Sequence, residues 1–247
     1  MLIILMVCFF LMSARHFSDG ASDTKAYLKV ISSFPSGMNN CLLQTLPLNS
    51  APRKDIRCAN FCLRNVNCRL FCIKGDECTL FKTWVTGEYI GAAQDSFGFT
   101  SCYTSWFYSK NLAPRAVVTM PTFYSVNHAE SQATNGYFCY VYDSCSITGV
   151  MANPYWKADV QKTYLVSTVI VKPREDSINF DNVEIRFGNS PTISQNPIFG
   201  THVGATPPAG TVLTFKPTKP MEGRYLSFQT LAASAALSVC EVQIIEA

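Results

Sequence analysis

The side chains best suited to covalent or coordination chemistry are 11 cysteines and three histidines among 247 residues. Setting aside Cys8, which lies in an apolar leader, ten cysteines are left: Cys41, Cys58, Cys62, Cys68, Cys72, Cys78, Cys102, Cys139, Cys145 and Cys240. An even number in an exported chain reads as a disulfide framework. A Cys-x3-Cys step such as Cys58 to Cys62 also occurs in zinc sites, but those use matched pairs of reduced thiols, and an oxidising compartment argues against them. The histidines form no catalytic pattern. His16 sits at the leader boundary, and His128 and His202 have no triad or metal partner at a recognisable spacing. Gly-x-Ser-x-Gly and His-Glu-x-x-His are both missing. The chain therefore reads as non-catalytic, with a spatially assembled site as the alternative. Aromatic side chains offer non-covalent chemistry instead. Trp106, Phe107 and Tyr108, and then Tyr137, Phe138, Tyr140 and Tyr142, are large enough to anchor an interface or stack on sugar rings, or else to fill a core.

Stepping from these residues to the segments that carry them, the run from Met1 to Met12 is unbroken and apolar, as in a signal peptide core. It is too short to span a bilayer, so residues 1–20 read as a signal peptide and no membrane span is expected. Cleavage falls between Ser13 and Ala21, with Ala14 the first choice; an uncleaved anchor or an intracellular chain are the alternatives. The net charge of +3, from 20 basic and 17 acidic residues, includes no Lys/Arg cluster and argues against nucleic acid. No Asn-x-Ser/Thr sequon occurs.

About 230 mature residues suit two domains. Residues 22–108 hold most of the cysteines and contain one helical stretch, Asp55 to Asn67, with Ile56, Ala59, Leu63 and Val66 on an apolar face. Cys58 and Cys62 share one side of it, and so short a helix is marginal alone. Strand-like runs Arg69 to Ile73 and Thr79 to Trp84 follow, with Gly75 and Asp76 as a turn. Residues 109–119 read as a linker. From 120 to 247 the pattern is all-β, with strand-sized runs Thr163 to Val171, Asn182 to Phe187, Thr211 to Phe215, Arg224 to Thr230 and Ser238 to Ile245. The Ala-rich stretch Ala232 to Leu237 is too short to alter that class.

The order Cys41, Cys58-x3-Cys62, Cys68, Cys78-Thr79-Leu80-Phe81, Cys102 resembles the PAN/apple family. That resemblance implies a small α+β domain with bridges Cys58–Cys78, Cys62–Cys68 and Cys41–Cys102, used as an extracellular recognition scaffold. The phrases Asp143-Ser144-Cys145, Asn153 to Val160, Asn182 to Asn189, Gly223 to Ser227 and Leu237 to Val242 resemble the F-type lectin family, a discoidin-like jelly-roll sandwich. This second resemblance implies a Cys145–Cys240 bridge. Cys72 and Cys139 are then left over. Pairing them would join the two domains, and intermolecular bridging is the alternative.

In F-type lectins a histidine two places after the first cysteine and two arginines of an Arg-x-Asp-x4-Arg/Lys motif hold fucose. The matching positions are Ile147, Arg174, Asp176 and Asp181, so the histidine and the second basic residue are lost. Neither replacement supplies the missing donors, and fucose binding in that pocket is not expected. The resemblance also implies a structural Ca²⁺ at Gln132, Asn135, Ser144 and Glu241, with a cation-free loop fixed by hydrogen bonds as the alternative. The reading is a secreted, lectin-like recognition protein that binds a glycan or an extracellular protein through the loop face of its C-terminal sandwich. A structural or matrix component that has lost sugar binding is the alternative. Self-association is compatible with either.

Overall fold

The computed structural model describes residues 28–30, 34–35, 38–49, 52–85, 93–94, 98–104, 110–139, 145–174, 176, 179–208 and 211–247. Residues 1–20, expected to form a signal peptide, and Trp106, Phe107, Tyr108, Tyr140, Tyr142 and Ser144 lie outside them. The first unit comprises β1 (Leu28–Val30), β2 (Phe34–Pro35), β3 (Leu42–Pro47), α1 (Lys54–Arg64), β4 (Leu70–Lys74), β5 (Glu77–Phe81), β6 (Trp84–Val85), β7 (Ala93–Gln94) and β8 (Ser101–Thr104). Its main sheet has the antiparallel order β1-β8-β4-β5-β3.

The β4–β5 hairpin organises this sheet. Lys74 pairs with Glu77 across a two-residue turn, and Gly75 takes φ +57°, a left-handed conformation that suits glycine. Helix α1 packs on β4 and β5. Its buried stripe is Cys58, Ala59 and Cys62 rather than the expected line through Ile56, Leu63 and Val66. Disulfides decide this: Cys58 reaches Cys78 on β5, and Cys62 reaches Cys68 just beyond the helix. The helix also stops before Asn67. Asn65 is extended, and its side-chain oxygen accepts from the Asn67 N–H at 3.0 Å, a local bond that competes with further helix. Val66 is left 77% exposed.

Two expected bridges are not those that form. Cys72 and Cys102 are direct cross-strand partners in β4–β8, with Cα atoms 4.1 Å apart, so they pair with each other. Cys41 is then joined to Cys139 rather than Cys102, and the bridge between the two halves of the chain runs through Cys41 rather than Cys72. Residues 137–139 accompany that bridge into the first unit. Gly136 turns the chain at φ +79°. The strand beyond it pairs with β6, and Tyr137 is buried with Met38, Cys41, Leu70 and Phe81.

The second half comprises β9 (Val117–Thr119), β10 (Tyr137–Phe138), β11 (Ser146–Ile147), β12 (Tyr155–Lys172), β13 (Val183–Gly188), β14 (Ile198–His202), β15 (Leu213–Phe215), β16 (Met221–Thr230), β17 (Ser238–Val239) and β18 (Glu241–Glu246). It is a mainly β sandwich. The 18-residue β12 is its spine, pairing with β9, β15, β16 and β18 and shifting register between Asp159 and Tyr164. In β12 and β16, buried Trp156, Ala158, Leu226 and Phe228 face the core with Phe180 and Phe187. Each large apolar side chain so buried contributes about 1.5 to 3 kcal/mol. The Trp156 Nε1–H donates to the Glu130 carbonyl at 3.0 Å, so its polar edge is satisfied.

Residues 110–119 are part of the sandwich and not a free linker. The Leu112 N–H donates to the Ile244 carbonyl, the Asn111 side chain accepts from the Ala113 and Ile244 N–H groups, and β9 joins β12. Ala113 and Val118 enter the core there, because small and β-branched residues in this stretch pack better than they solvate. The Ala-rich stretch is not helical; Ala235 pairs with Met151.

Candidate functional site

The positions carried over from the lectin pattern are brought to one end of the sandwich. Ile147 in β11 stands opposite Ser238 of β17, and the Ser238 N–H donates to the Asn179 carbonyl at 2.7 Å. Cys240, bonded to Cys145, donates its N–H to the Lys172 carbonyl, two residues before Arg174. The local sequence thus places Ile147, Arg174 and Asp181 near one another, yet it leaves none of them open as a sugar donor. Ile147 is 1% exposed and packs with Cys145, Cys240 and Val212, so the histidine position is a filled apolar contact. Arg174 is 8% exposed and forms an ion pair with Asp176. The Asp181 carboxylate accepts from both the N–H and the hydroxyl of Thr206, fixing the loop that leads into β13.

What this end of the sandwich does expose was not identified in the sequence. Phe123 is 50% and Tyr124 61% exposed, and Val126 and Val150 are exposed beside them. The loop is held in place by its backbone. The Tyr124 N–H donates to the Ile147 carbonyl at 2.8 Å, and the Gly149 N–H donates to the Thr122 hydroxyl at 3.1 Å. Tyr124 also lies against His128, with ring centroids 5.9 Å apart. His128 is fully buried and its Nδ1 lies 3.1 Å from the Cys145 carbonyl. The apolar residues lie between short turns and break both helical and strand periodicity, so no pattern marked them.

Of the candidate metal positions, Gln132 and Asn135 share one loop, and Glu241 is a buried acid that faces the Gly136 N–H of that loop. The Asn135 amide donates to the Gln132 side-chain oxygen at 3.0 Å, while its own oxygen accepts from the Tyr137 N–H at 2.9 Å. Both side chains are thereby engaged in the loop itself. Glu241 is buried, and among the described residues neither carboxylate oxygen has a hydrogen bond of good geometry. Burial pushes its carboxyl well above the usual carboxylate range, with the Gly136 N–H partly opposing. Among the described residues no three His, Cys, Asp or Glu side chains gather as a metal site. The orphaned Glu241 carboxylate fits a hard cation, and the other ligands would have to be chiefly backbone oxygens.

No protein-family model matches the chain. Its C-terminal region is similar to fucolectins. It is 30% identical over 133 residues to Fucolectin-5 of Anguilla japonica, covering 52% of this chain and 65% of that protein. To Fucolectin of Anguilla anguilla it is 27% identical over 151 residues, covering 55% of this chain and 90% of that one. Among solved structures, an F-lectin from Morone saxatilis (striped bass) serum is 28% identical with a TM-score of 0.52, covering 57% of this chain and 50% of that chain. The chain thus spans 65% of the length of the first eel lectin, less than two thirds, and half of the bass lectin. A fucolectin-like sandwich is the class of fold that carries the loop end described above.

Proposed function

We propose that the chain is a secreted, non-catalytic recognition protein whose C-terminal sandwich binds a glycan through a remodelled loop end. The observation that carries this reading is the exposed Phe123–Tyr124 loop hydrogen-bonded to the strand of Ile147, beside a pocket position that is filled. Rigidly held aromatic rings stack on sugar rings at low entropic cost. Secretion is supported by the apolar leader sequence and by ten cysteines engaged in five bridges. The first unit is read as PAN/apple-like on its helix-on-sheet arrangement and its Cys58–Cys78 and Cys62–Cys68 bridges, departing from that pattern at Cys41 and Cys102. A structural Ca²⁺ at Glu241 belongs to the same reading, with Gln132, Asn135 and Ser144 as the other candidate positions.

A second reading, a protein-binding or matrix component, is favoured by the filled Ile147 contact and by the ion-paired Arg174. A glycan array probed with the oxidised protein, with and without calcium, separates the two. Binding to a defined set of glycans is expected. No glycan bound by correctly oxidised protein overturns the lectin reading in favour of the second.

A further inference from the structure

The sheet of the first unit ends at β3. Among the described residues β3 pairs on one side only, with β5. An edge strand presents backbone N–H and C=O groups that another strand can use, and proteins commonly blunt such edges with lysine, proline or a bulge. Here a register shift falls between Leu42 and Gln44, and Pro47 closes the strand. Between these two devices Gln44, Thr45 and Leu46 form an uncharged window, with Gln44 and Thr45 exposed.

Helix α1 packs over β4 and β5, and a cleft of 430 Å³ lies between its last turn and β3. Gln44, Leu46, Phe61, Arg64, Asn65 and Val66 line it. Gln44 and Leu46 are two apart and so share a face of the strand. Phe61 gives the cleft an apolar wall. The Arg57 guanidinium lies 5.8 Å from the Phe61 ring centroid, and Arg64 stands one turn further along the helix. Asp55 pairs with Arg53 and Asp76 with Lys54. Arg57 and Arg64 form no ion pair among the described residues.

We propose that this edge and cleft bind an acidic segment of another protein as an added strand beside β3. The segment's backbone continues the sheet, an apolar side chain rests against Leu46 and Phe61, and a carboxylate meets Arg57 or Arg64. Ladder hydrogen bonds supply affinity in this mode and the side-chain pocket supplies selectivity, while guanidinium forks match carboxylates. The proposal is independent of the sugar-binding reading, since it rests on the other half of the chain.

The test titrates the full, oxidised protein with labelled octapeptides by fluorescence anisotropy. The probes are an octapeptide alternating aspartate with leucine, its lysine-for-aspartate counterpart, two versions N-methylated on alternate sets of backbone amides, and a sulfated oligosaccharide. The acidic peptide is expected to bind, and Arg64→Glu to weaken it by at least about tenfold. One N-methylated version is expected to lose binding while the other keeps it, which only strand pairing requires. Lys216→Glu, on the sandwich, is expected to change nothing. Equal binding of the acidic and lysine peptides overturns the proposal, as does indifference to both N-methylations or to Arg64→Glu. Binding of the sulfated oligosaccharide alone, through the same arginines, overturns it in favour of a glycan site.

Discussion

The backbone N–H of Tyr124 donates to the carbonyl of Ile147 at 2.8 Å, which fastens an exposed aromatic loop to the strand occupying the histidine position of the lectin pattern. If the loop makes the contact, replacing Phe123 and Tyr124 together with alanine weakens glycan binding at least about tenfold without changing the fold, because truncated aromatic anchors dominate such losses. Arg174→Ala is expected to leave binding within about threefold, since that guanidinium is paired with Asp176. A glycan-array comparison of the two variants checks this. Loss of binding with Arg174→Ala alone would return the site to the original pocket.

Glu241 predicts a calcium response. With a buried carboxylate lacking good hydrogen bonds, saturating calcium is expected to raise Tm by about 5 °C or more over a chelator-treated sample. Glu241→Gln is expected to abolish that gain. Scanning calorimetry of both proteins in both conditions measures it, and an equal gain in the two would remove Glu241 from the site.

Acid sensitivity is expected at a different pair. Arg224 donates two hydrogen bonds to Asp159, each 2.7 Å, and the first effect of this partner is to hold the Asp159 carboxyl below its usual value. A depressed carboxyl stabilises the fold above its unfolded pKa and loses that contribution as pH falls through the folded value. Asp159→Asn is therefore expected to lower Tm at pH 7 by no more than about 3 °C, the pair being partly exposed. The difference from wild type should vanish near pH 2. A difference that persists there would assign the effect to packing.

Gly223 is expected to resist substitution. A Cβ placed there would come within 2.8 Å of the Gly188 backbone and 2.9 Å of the Phe187 ring, across the β13–β16 pair. Backbone cannot yield as a side-chain tip can, so Gly223→Ala should destabilise by about 1 to 3 kcal/mol. Gly75→Ala is the informative contrast. Among the described residues nothing lies within 4 Å of its position, and its φ of +57° opposes a side chain, so about 1 kcal/mol is expected. Chemical denaturation ranks the two, and a cost at Gly223 no greater than at Gly75 would show that the sheet yields enough to relieve the crowding.

The bridge from Cys41 to Cys139 closes a separation of 98 residues. Replacing both with serine should cost about 4 kcal/mol through the freed unfolded chain. It should also weaken the seating of Tyr137 among Met38, Leu70 and Phe81. Denaturant titration reads the first effect, and tyrosine fluorescence reads the second. A variant as stable as wild type would show that packing alone joins the two halves.

Much of the strand pattern was legible because strands alternate. Asn182 to Phe187 and Arg224 to Thr230 were read close to the observed β13 and β16. The first half of β12 was missed although Trp156, Ala158 and Val160 alternate with polar Lys157 and Asp159, the pattern of a half-buried strand. Disulfide pairing was only partly legible. Cys72 and Cys102 meet through sheet register, which cysteine spacing does not encode. The candidate site was the least legible. Sequence positions located Ile147, Arg174 and Asp181 at a common end, but whether Ile147 and Asp181 are open or spent depends on Val212 and Thr206 arriving from distant segments, and Arg174 is spent on Asp176 two residues along the chain. The exposed Phe123 and Tyr124 carried no signal, because exposure of an aromatic in a turn is decided by the fold around it.

The bridge between the halves also governs how the protein would appear after damage. A protease that cuts once anywhere between Cys41 and Cys139, for example after exposed Arg64, severs the chain without releasing a piece, because the bond at Cys41–Cys139 still holds both ends. A nicked molecule would travel as one species under oxidising conditions and fall into fragments only on reduction. It could thus continue to present the lectin-like sandwich together with the first unit after its backbone had been broken.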